Sequence, residues 1–326
     1  MVIAMPEAHK RAYRHPKYKT AYRVSNWREY DQALRDRGDV TLWISQAAID
    51  AWTPQQTGKR GGQPIYSDTA IETALSLRLL FRLPLRQTEG FLSSLLALMD
   101  VVLPCPDHTT LSRRNATVAI RQQVYRASRG SVDLIIDSTG LKVCGQGEWH
   151  SQKHGEKQRK RWKKLHIGVD NQGWIIASCV TECHEQDPSH VPALLSQVDR
   201  VIDRCIGDGM YDQEPVYAAV ERHSPGARVI IPPRKDAVVS PTGTTAPTQR
   251  DQHLFAIKRE GRLPWKRMSG YYDQSHAENA FSRFKRTFGG GLRAKQDAAQ
   301  EREASLACAL LNRMQELGRP QSSPVS

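Results

Sequence analysis

A run of branched apolar residues that ends in a carboxylate constrains the fold of this chain more than any other feature. Residues 134–136 have the composition of a buried strand, and Asp137 follows them directly. Burying a carboxylate costs free energy unless the group is paired or binds a metal ion. Two interpretations stay open from this segment alone. Either residues 137–140 form the turn of a hairpin, or Asp137 is a metal ligand held by a strand.

The second half of the chain alternates between strand-like and helical patterns. Strands are predicted at residues 132–143, 165–169, 174–180, 201–206 and 229–231. Helices are predicted at residues 188–198, 214–222, 275–288 and 298–317. The first three strands follow one another, and helices separate or follow the later ones. We therefore expect an α/β fold with a mixed five-stranded sheet, flanking helices and a flexible insertion at about residues 235–249.

The first half of the chain is predicted to be helical. Residues 1–24 are predicted to be a basic arm rich in aromatic side chains that lies along phosphates or stacks on bases, with a solvated, disordered tail as the alternative. Residues 25–122 contain several helical patterns. Asp107 can cap a short helix that ends in Arg113 and Arg114, the last of three consecutive helices. Such a series is typical of a helix-turn-helix module, which makes both arginines predicted DNA contacts. A plain helical bundle is the alternative.

Basic residues outnumber acidic ones in this chain. It has 47 Lys and Arg against 34 Asp and Glu, a formal net charge of +13, which favours a polyanionic partner over a merely soluble basic protein. The basic residues are densest between residues 153 and 164, where like charges repel one another unless a polyanion lies across them. The predicted phosphate contacts in this segment are Lys153, Arg161, Lys163 and Lys164.

The composition argues against a membrane protein and against a secreted one. Arg82 and Arg86 interrupt the longest apolar run, and the N-terminus has no apolar stretch of signal-peptide length. The six cysteines include no Cys-x-x-Cys pair, which favours free thiols in a reducing compartment over a zinc site. With a polyanionic partner, the expected location is the cytoplasm, in association with the nucleoid.

Two further acids occur at positions where an active site could form. Asp208 follows an apolar strand between two glycines, which would let a metal ion and a substrate approach closely, although the same residues suit a turn. Glu278 lies beside the apolar stripe of a helical pattern, but Ser275-x-x-Glu278 also fits a capping box. Asp212 is treated as structural, since it can cap the next helix.

Taken together, Asp137, Asp208 and Glu278 would form a donor set made only of oxygen atoms. Hard carboxylate ligands without a histidine suit Mg²⁺ or Mn²⁺. Two such ions can activate an attacking oxygen and stabilise a leaving oxygen in phosphodiester chemistry. The sequence therefore predicts that these three acids are both catalytic residues and metal ligands.

Three segments, in this order, are similar to the motifs of bacterial insertion-sequence DDE transposases of the IS-five/IS-four type. They are residues 136–142, residues 207–212 and Tyr271-x2-Gln274-x3-Glu278-x6-Lys285. The last resembles the family's Tyr-x2-Arg-x3-Glu-x6-Lys signature and departs from it at Gln274. The similarity extends over roughly residues 24–317. It implies a ribonuclease-H-like catalytic domain at 123–318, followed by a short tail at 319–326.

The resemblance also implies roles for the residues at matching positions. The three acids would hold two Mg²⁺ ions, with Mn²⁺ as a possible substitute. Cleavage at the ends of the element would precede attack of the freed 3′ hydroxyl on target DNA. The implied partners are terminal inverted repeats, target DNA and a second copy of the chain in the synaptic complex. The predicted DNA contacts in this part of the chain are Tyr271, Gln274, Arg283 and Lys285.

Two other functions remain compatible with the sequence. A transposase-derived regulator would keep the helical region and bind DNA without catalysis. A metal-dependent nuclease would cleave DNA without joining it to a target. The presence of all three acids favours the active transposase over the regulator.

Overall fold

The computed structural model describes residues 22–55, 58, 63–120, 130–143 and 162–324. The described part of the chain forms two compact units, one made of residues 22–42 and 314–324 and the other of the described residues between 43 and 313. The strands of the described part are β1 (Tyr22–Val24), β2 (Val132–Val143), β3 (Trp162–Val169), β4 (Ile175–Glu182), β5 (Ile202–Ile206), β6 (Arg228–Ile230), β7 (Gly291–Leu292) and β8 (Ser322–Pro324).

The helices are numbered in the same way. They are α1 (Trp27–Asp36), α2 (Val40–Trp43), α3 (Gln46–Asp50), α4 (Asp68–Leu80), α5 (Leu85–Leu98), α6 (His108–Arg114), α7 (Val191–Leu195), α8 (Glu214–His223), α9 (Gln249–Glu260), α10 (Arg262–Ser269), α11 (Ser275–Phe288) and α12 (Asp297–Glu316). Short 3₁₀ turns lie at Asp187–His190, Gly209–Tyr211 and Tyr271–Gln274. Within the described ranges, no helix is both long and apolar enough to cross a membrane.

The smaller unit joins segments from the two ends of the chain. β1 pairs antiparallel with β8, and the backbone N–H of Ser25 donates to the carbonyl oxygen of Gln321 at 2.8 Å. Nη2 of Arg37, just after α1, donates to the carbonyl oxygen of Gly318 at 2.7 Å. These pairings between distant segments were not part of the sequence-based expectation.

The helices α4, α5 and α6 confirm the three predicted in the first half of the chain. Ile71 and Leu75 of α4 are fully buried, as its apolar stripe predicts. The Ser67 hydroxyl caps α4, and the Asp107 carboxylate accepts the N–H groups of Thr109 and Thr110 at 2.9 and 3.0 Å. Each cap satisfies backbone donors that the first turn of a helix leaves unpaired.

The central sheet of the larger unit has the strand order β4-β3-β2-β5-β6, and β7 adds a sixth strand beside the end of β2. β2, β3 and β4 pair antiparallel, whereas β2, β5 and β6 pair parallel. Parallel neighbours need crossover connections, which contain α7 and α8. All five predicted strands are present, and the mixed six-stranded sheet is consistent with a ribonuclease-H-like DDE fold.

The two faces of β2 pack against different helices. Leu134 and Ile136 belong to the core cluster formed with α7 and α8. Since successive side chains of a strand point to opposite faces, Ile135 and Asp137 face the other side. On that side α11 contacts β2 and β3 and buries Ala277, Phe281 and Phe284. Asp137 therefore lies on the face that α11 covers.

The segment before α11 contains two helices that the sequence analysis did not predict. They are α9 and α10, which follow the expected insertion at 235–249. The carboxylate of Asp251 accepts the backbone N–H and the hydroxyl of Ser240, and it forms a capping box with Thr248 at the start of α9. These contacts connect the insertion to α9.

Candidate active site

Asp137 lies in the middle of β2, paired in register with Ile167 of β3. The strand runs without a break from Val132 to Val143, so the turn interpretation of residues 137–140 is wrong. One carboxylate oxygen of Asp137, Oδ1, accepts the backbone N–H of Ser138 at 2.8 Å. The side chain is half-buried, so its charge is only partly hydrated.

Asp208 follows β5, the parallel neighbour of β2, and lies two residues beyond Ile206, which pairs with Ile135 of β2. Its Oδ1 accepts the backbone N–H of Met210 at 2.9 Å and caps the 3₁₀ turn after it. Asp208 therefore caps a turn, as one of the two interpretations predicted. Its position beside β2 is also compatible with a place in an active site that contains Asp137. A Cβ atom at Gly207 would come within 3.2 Å of an Ile136 side-chain carbon, which explains the small residue there.

Glu278 lies in the first turn of α11, next to the buried Ala277. Ser275 is the first helical residue, and the N-cap position belongs to Gln274. A capping box would require Ser275 at the N-cap, so this alternative for Glu278 is wrong. The Glu278 side chain is exposed.

Asp208 and Glu278, which come from distant parts of the sequence, act electrostatically on Asp137. Burial raises the pKa of Asp137 to about 6; the hydrogen bond from Ser138 opposes this change, and the charges of Asp208, Glu278 and Asp187 add to it. Burial also raises the pKa of Asp208. The pKa of Tyr271 is raised by burial and by the charges of Asp208, Glu278 and Asp137.

The donor chemistry of these residues fits a hard divalent cation. Carboxylate oxygens are the ligands that Mg²⁺ and Mn²⁺ prefer, and a cation would relieve the repulsion that acts on Asp137. In the ranges that the structure describes, no three Asp, Glu, His or Cys side chains stand close enough together to hold a metal ion as they are oriented. Sharing an ion among the three acids therefore requires their side chains to reorient.

Comparison with known proteins identifies the family. Two family models, each described as a transposase DDE domain, match residues 35–146 and residues 128–313. The second match covers more than half of the chain and includes β2, β5 and α11. The chain belongs to the DDE transposase family. Its central sheet is therefore the sheet of a DDE transposase domain.

A fourth carboxylate of this transposase, Asp187, was missed by the sequence analysis. Its Oδ2 accepts the hydroxyl of Ser138 at 2.6 Å, and its Oδ1 accepts the ammonium of Lys164 at 2.6 Å. Ser138 thus contacts two carboxylates, Asp187 through its hydroxyl and Asp137 through its backbone N–H. Only the proline after Asp187 marked this segment in the sequence, as the start of a helix.

The predicted phosphate contacts on β3 have partners within the protein. Nζ of Lys163 lies 2.6 Å from Glu182 and 2.9 Å from Asp297, and its side chain is 8% exposed. Lys164 also donates to the carbonyl oxygen of Glu185 at 2.8 Å. DNA contact by either lysine stays a prediction. Lys153 and Arg161 lie outside the described residues.

The residues of the tyrosine-to-lysine signature have different surroundings. Nζ of Lys285 donates to the Thr139 hydroxyl at 2.6 Å, two residues beyond Asp137. Gln274 is 5% exposed, and its amide donates to the carbonyl oxygen of Ile136 at 3.1 Å. This bond connects the segment before α11 to β2 at the residue preceding Asp137. Tyr271 is half-buried.

Arginines proposed for DNA contact elsewhere also have protein partners. Nη2 of Arg283 donates to the carbonyl oxygen of Gly173, in the turn between β3 and β4, at 2.7 Å. Arg114 pairs with Asp68, whereas Arg113 is exposed. Their contact with DNA stays a prediction.

An ion-pair network around Arg204 connects the three acid-bearing elements. Nη2 of Arg204, on β5, lies 2.6 Å from Oδ2 of Asp133, on β2, and 2.9 Å from Oδ2 of Asp273, in the turn before α11. Asp133 precedes Asp137 by four residues, Arg204 precedes Asp208 by four, and Asp273 precedes Glu278 by five. The network therefore fixes β2, β5 and the start of α11 relative to one another.

Asp212 is structural, but its contact differs from the predicted helix cap. Its carboxylate pairs with Arg250 of α9 at 2.8 and 3.0 Å and accepts the backbone N–H of Arg234 at 3.1 Å. The side chain is fully buried. The N-cap of α8 is instead Gln213.

Proposed function

We propose that this chain is the transposase of an insertion sequence of the IS-five/IS-four type. It binds the terminal inverted repeats as a homodimer, cleaves at the element's ends and joins the 3′ hydroxyl to target DNA. The observation that carries the proposal is that β2, β5 and α11, which bear Asp137, Asp208 and Glu278, lie within one match to a transposase DDE domain and are connected by the ion pairs of Arg204. Acids with distant positions in the sequence share one environment, and their chemistry suits phosphodiester cleavage.

In this proposal Asp137, Asp208 and Glu278 would hold two Mg²⁺ or Mn²⁺ ions. The bound ions would supply Lewis-acid activation of the attacking and leaving oxygens. At neutral pH Asp137 is largely ionised, since its pKa of about 6 lies below the working pH. The Ser138 N–H orients its carboxylate.

The protein's own cations would position the DNA next to these acids. The ammonium of Lys285 donates to the hydroxyl of Thr139, two residues after Asp137. At this position it can contact a phosphate near the cleavage point. Tyr271 lies in the field of all three acids and can contact the same strand. The helical region around α4–α6 would add sequence-independent phosphate contacts.

The test uses end-labelled element DNA with Mg²⁺, assayed for cleavage and for joined products. We expect Asp137→Asn, Asp208→Asn and Glu278→Gln each to abolish cleavage and to retain binding to the ends. The matched control is Asp199→Asn, which removes an exposed acid before β5 and should cleave normally.

Four outcomes would count against parts of the proposal. Cleavage that is insensitive to EDTA would contradict a metal mechanism. Cleavage without joined products would indicate a nuclease, and DNA binding by a wild type that does not cleave would indicate a regulator. Equal loss of binding in the acid variants would mean that these residues are structural.

A further inference from the structure

A pocket of about 720 Å³ outside the acid site is lined by Pro84, Leu85 and eight residues that are cationic or neutral polar. Four arginines contribute to its wall, Arg78 from α4, Arg86 from α5, Arg113 from α6 and Arg293 from the segment after β7, and His108 adds an imidazole. None of its lining residues, all of which lie in the described part of the chain, is acidic. Such a concentration of guanidinium groups predicts an anionic ligand.

Arg78 is the most buried of these arginines, with 6% of its surface exposed. The nearest acid paired with it is Glu303, 3.7 Å from Nη1, which is long for a salt bridge. Burial lowers the pKa of Arg78; Glu303 opposes this change, and the charge of Arg293 adds to it. Two guanidinium groups therefore repel each other beside a single carboxylate.

The carboxylate of Glu303 has other partners as well. Its two oxygens accept the backbone N–H groups of Arg293 and Ala294, each at 2.8 Å. In the described residues, Nε of Arg78 and Nη1 of Arg293 are both buried and have no hydrogen-bond partner. Buried donors without partners are costly, and charged ones more so. An anion in the pocket would offset the repulsion between the two arginines. It would reach the two buried donors only after the guanidinium groups rotate toward the pocket.

We propose that this pocket binds a phosphate of the DNA backbone. A guanidinium group offers paired N–H donors that match two phosphate oxygens. Arginine therefore suits a phosphate better than lysine would, because the ammonium group of lysine acts as a point charge. The volume lies in the range of small-ligand pockets, about 300–1,000 Å³, which leaves room for a sugar-phosphate segment and not only a free ion. The proposal rests on the function proposed above, because it supposes that DNA is the substrate.

The first test measures how DNA affinity depends on salt, with a labelled mixed-sequence duplex and EDTA present so that no cleavage occurs. We expect the double variant Arg86→Gln, Arg113→Gln to bind about tenfold more weakly or worse. The slope of log K against log[salt] should become shallower by about 0.9 for each phosphate that the variant no longer neutralises. The matched control is Arg259→Gln, which removes an exposed arginine of α9 and should change neither value.

The second test uses Arg293→Met, which removes a half-buried cation. We expect the same change in slope, together with a melting temperature that is unchanged or higher, since the repulsion of Arg78 is relieved. A folded variant with wild-type affinity and slope would overturn the proposal. If Arg293→Met does not fold, the exposed pair of arginines still decides the question.

Inorganic phosphate at constant ionic strength distinguishes the two sources of the anion. If phosphate raises the melting temperature of the wild type but not of Arg293→Met, while DNA affinity is the same in both, the pocket takes a free ion and the proposal is wrong. Because the binding assay contains no divalent metal, it is independent of catalysis. If the wild type does not cleave DNA but the pocket variants still show the shallower slope, the phosphate site is supported and the proposed transposase function is not.

Discussion

Replacing Arg204 with methionine should destabilise the larger unit through one residue in particular, Asp133. The carboxylate of Asp133 is 8% exposed and faces Nε and Nη2 of Arg204 at 3.0 and 2.6 Å. After the replacement, the hydrogen bond that Asp133 keeps among the described residues is the one from Asn171 at 3.1 Å. Removing one partner of a buried ion pair lowers the free energy of unfolding by about 3–5 kcal/mol. Because Asp133 keeps its hydrogen bond from Asn171, we expect a loss at the lower end, about 3 kcal/mol.

A urea titration of Arg204→Met and of the double variant Arg204→Met, Asp133→Asn measures this effect. The double variant no longer buries an unpaired charge, so we expect it to unfold within about 1 kcal/mol of the wild type. The remaining loss comes from Asp273, which is 37% exposed and contributes about 1 kcal/mol at most. A single variant that is as stable as the wild type, or a double variant no better than the single one, would refute this account.

The same network should affect cleavage through the start of α11. Asp273→Asn removes one arm of the network at a cost below about 1 kcal/mol, but it loosens the segment that leads to Glu278. Small displacements of catalytic groups lower rates by up to about a hundredfold, so we expect slower cleavage with unchanged DNA affinity. Asp203→Asn, at the exposed residue next to Arg204, is the control and should cleave at the wild-type rate.

Two further changes follow from buried charges. Burial and neighbouring acids raise the pKa of Asp137 from 3.8 to about 6, so its ionised form opposes folding above pH 4, and fully so above pH 6. Urea titrations in EDTA should find Asp137→Asn more stable than the wild type by about 2–3 kcal/mol at pH 7.5, with no difference below pH 4; equal stability at both pH values would contradict the shift. Arg250→Met leaves the buried Asp212 without its ion pair and should cost about 3–5 kcal/mol, whereas Arg250→Met with Asp212→Asn should recover most of that loss.

Local patterns in the sequence were sufficient to predict most helices and strands around the acids. Branched apolar residues mark β2, and the apolar spacing of α11 follows the period of a helix, because both patterns reflect one buried face. The family resemblance selected Asp137, Asp208 and Glu278 from 34 acidic residues. Their roles as catalytic residues and metal ligands remain proposals, since a local sequence pattern does not give the distances between these side chains.

The partners of charged side chains were decided by the tertiary structure. Lys163 and Lys164 belong to a basic stretch of the sequence, yet each lies against carboxylates of other segments. Asp187 reaches Ser138 across 49 positions, and Arg204 reaches Asp133 across 71. A sequence gives the sign of each charge and its local environment. Whether that charge faces solvent, DNA or an opposite charge depends on how the sheet and its helices pack, because Coulomb and hydrogen-bond energies depend on distances that only the folded chain defines.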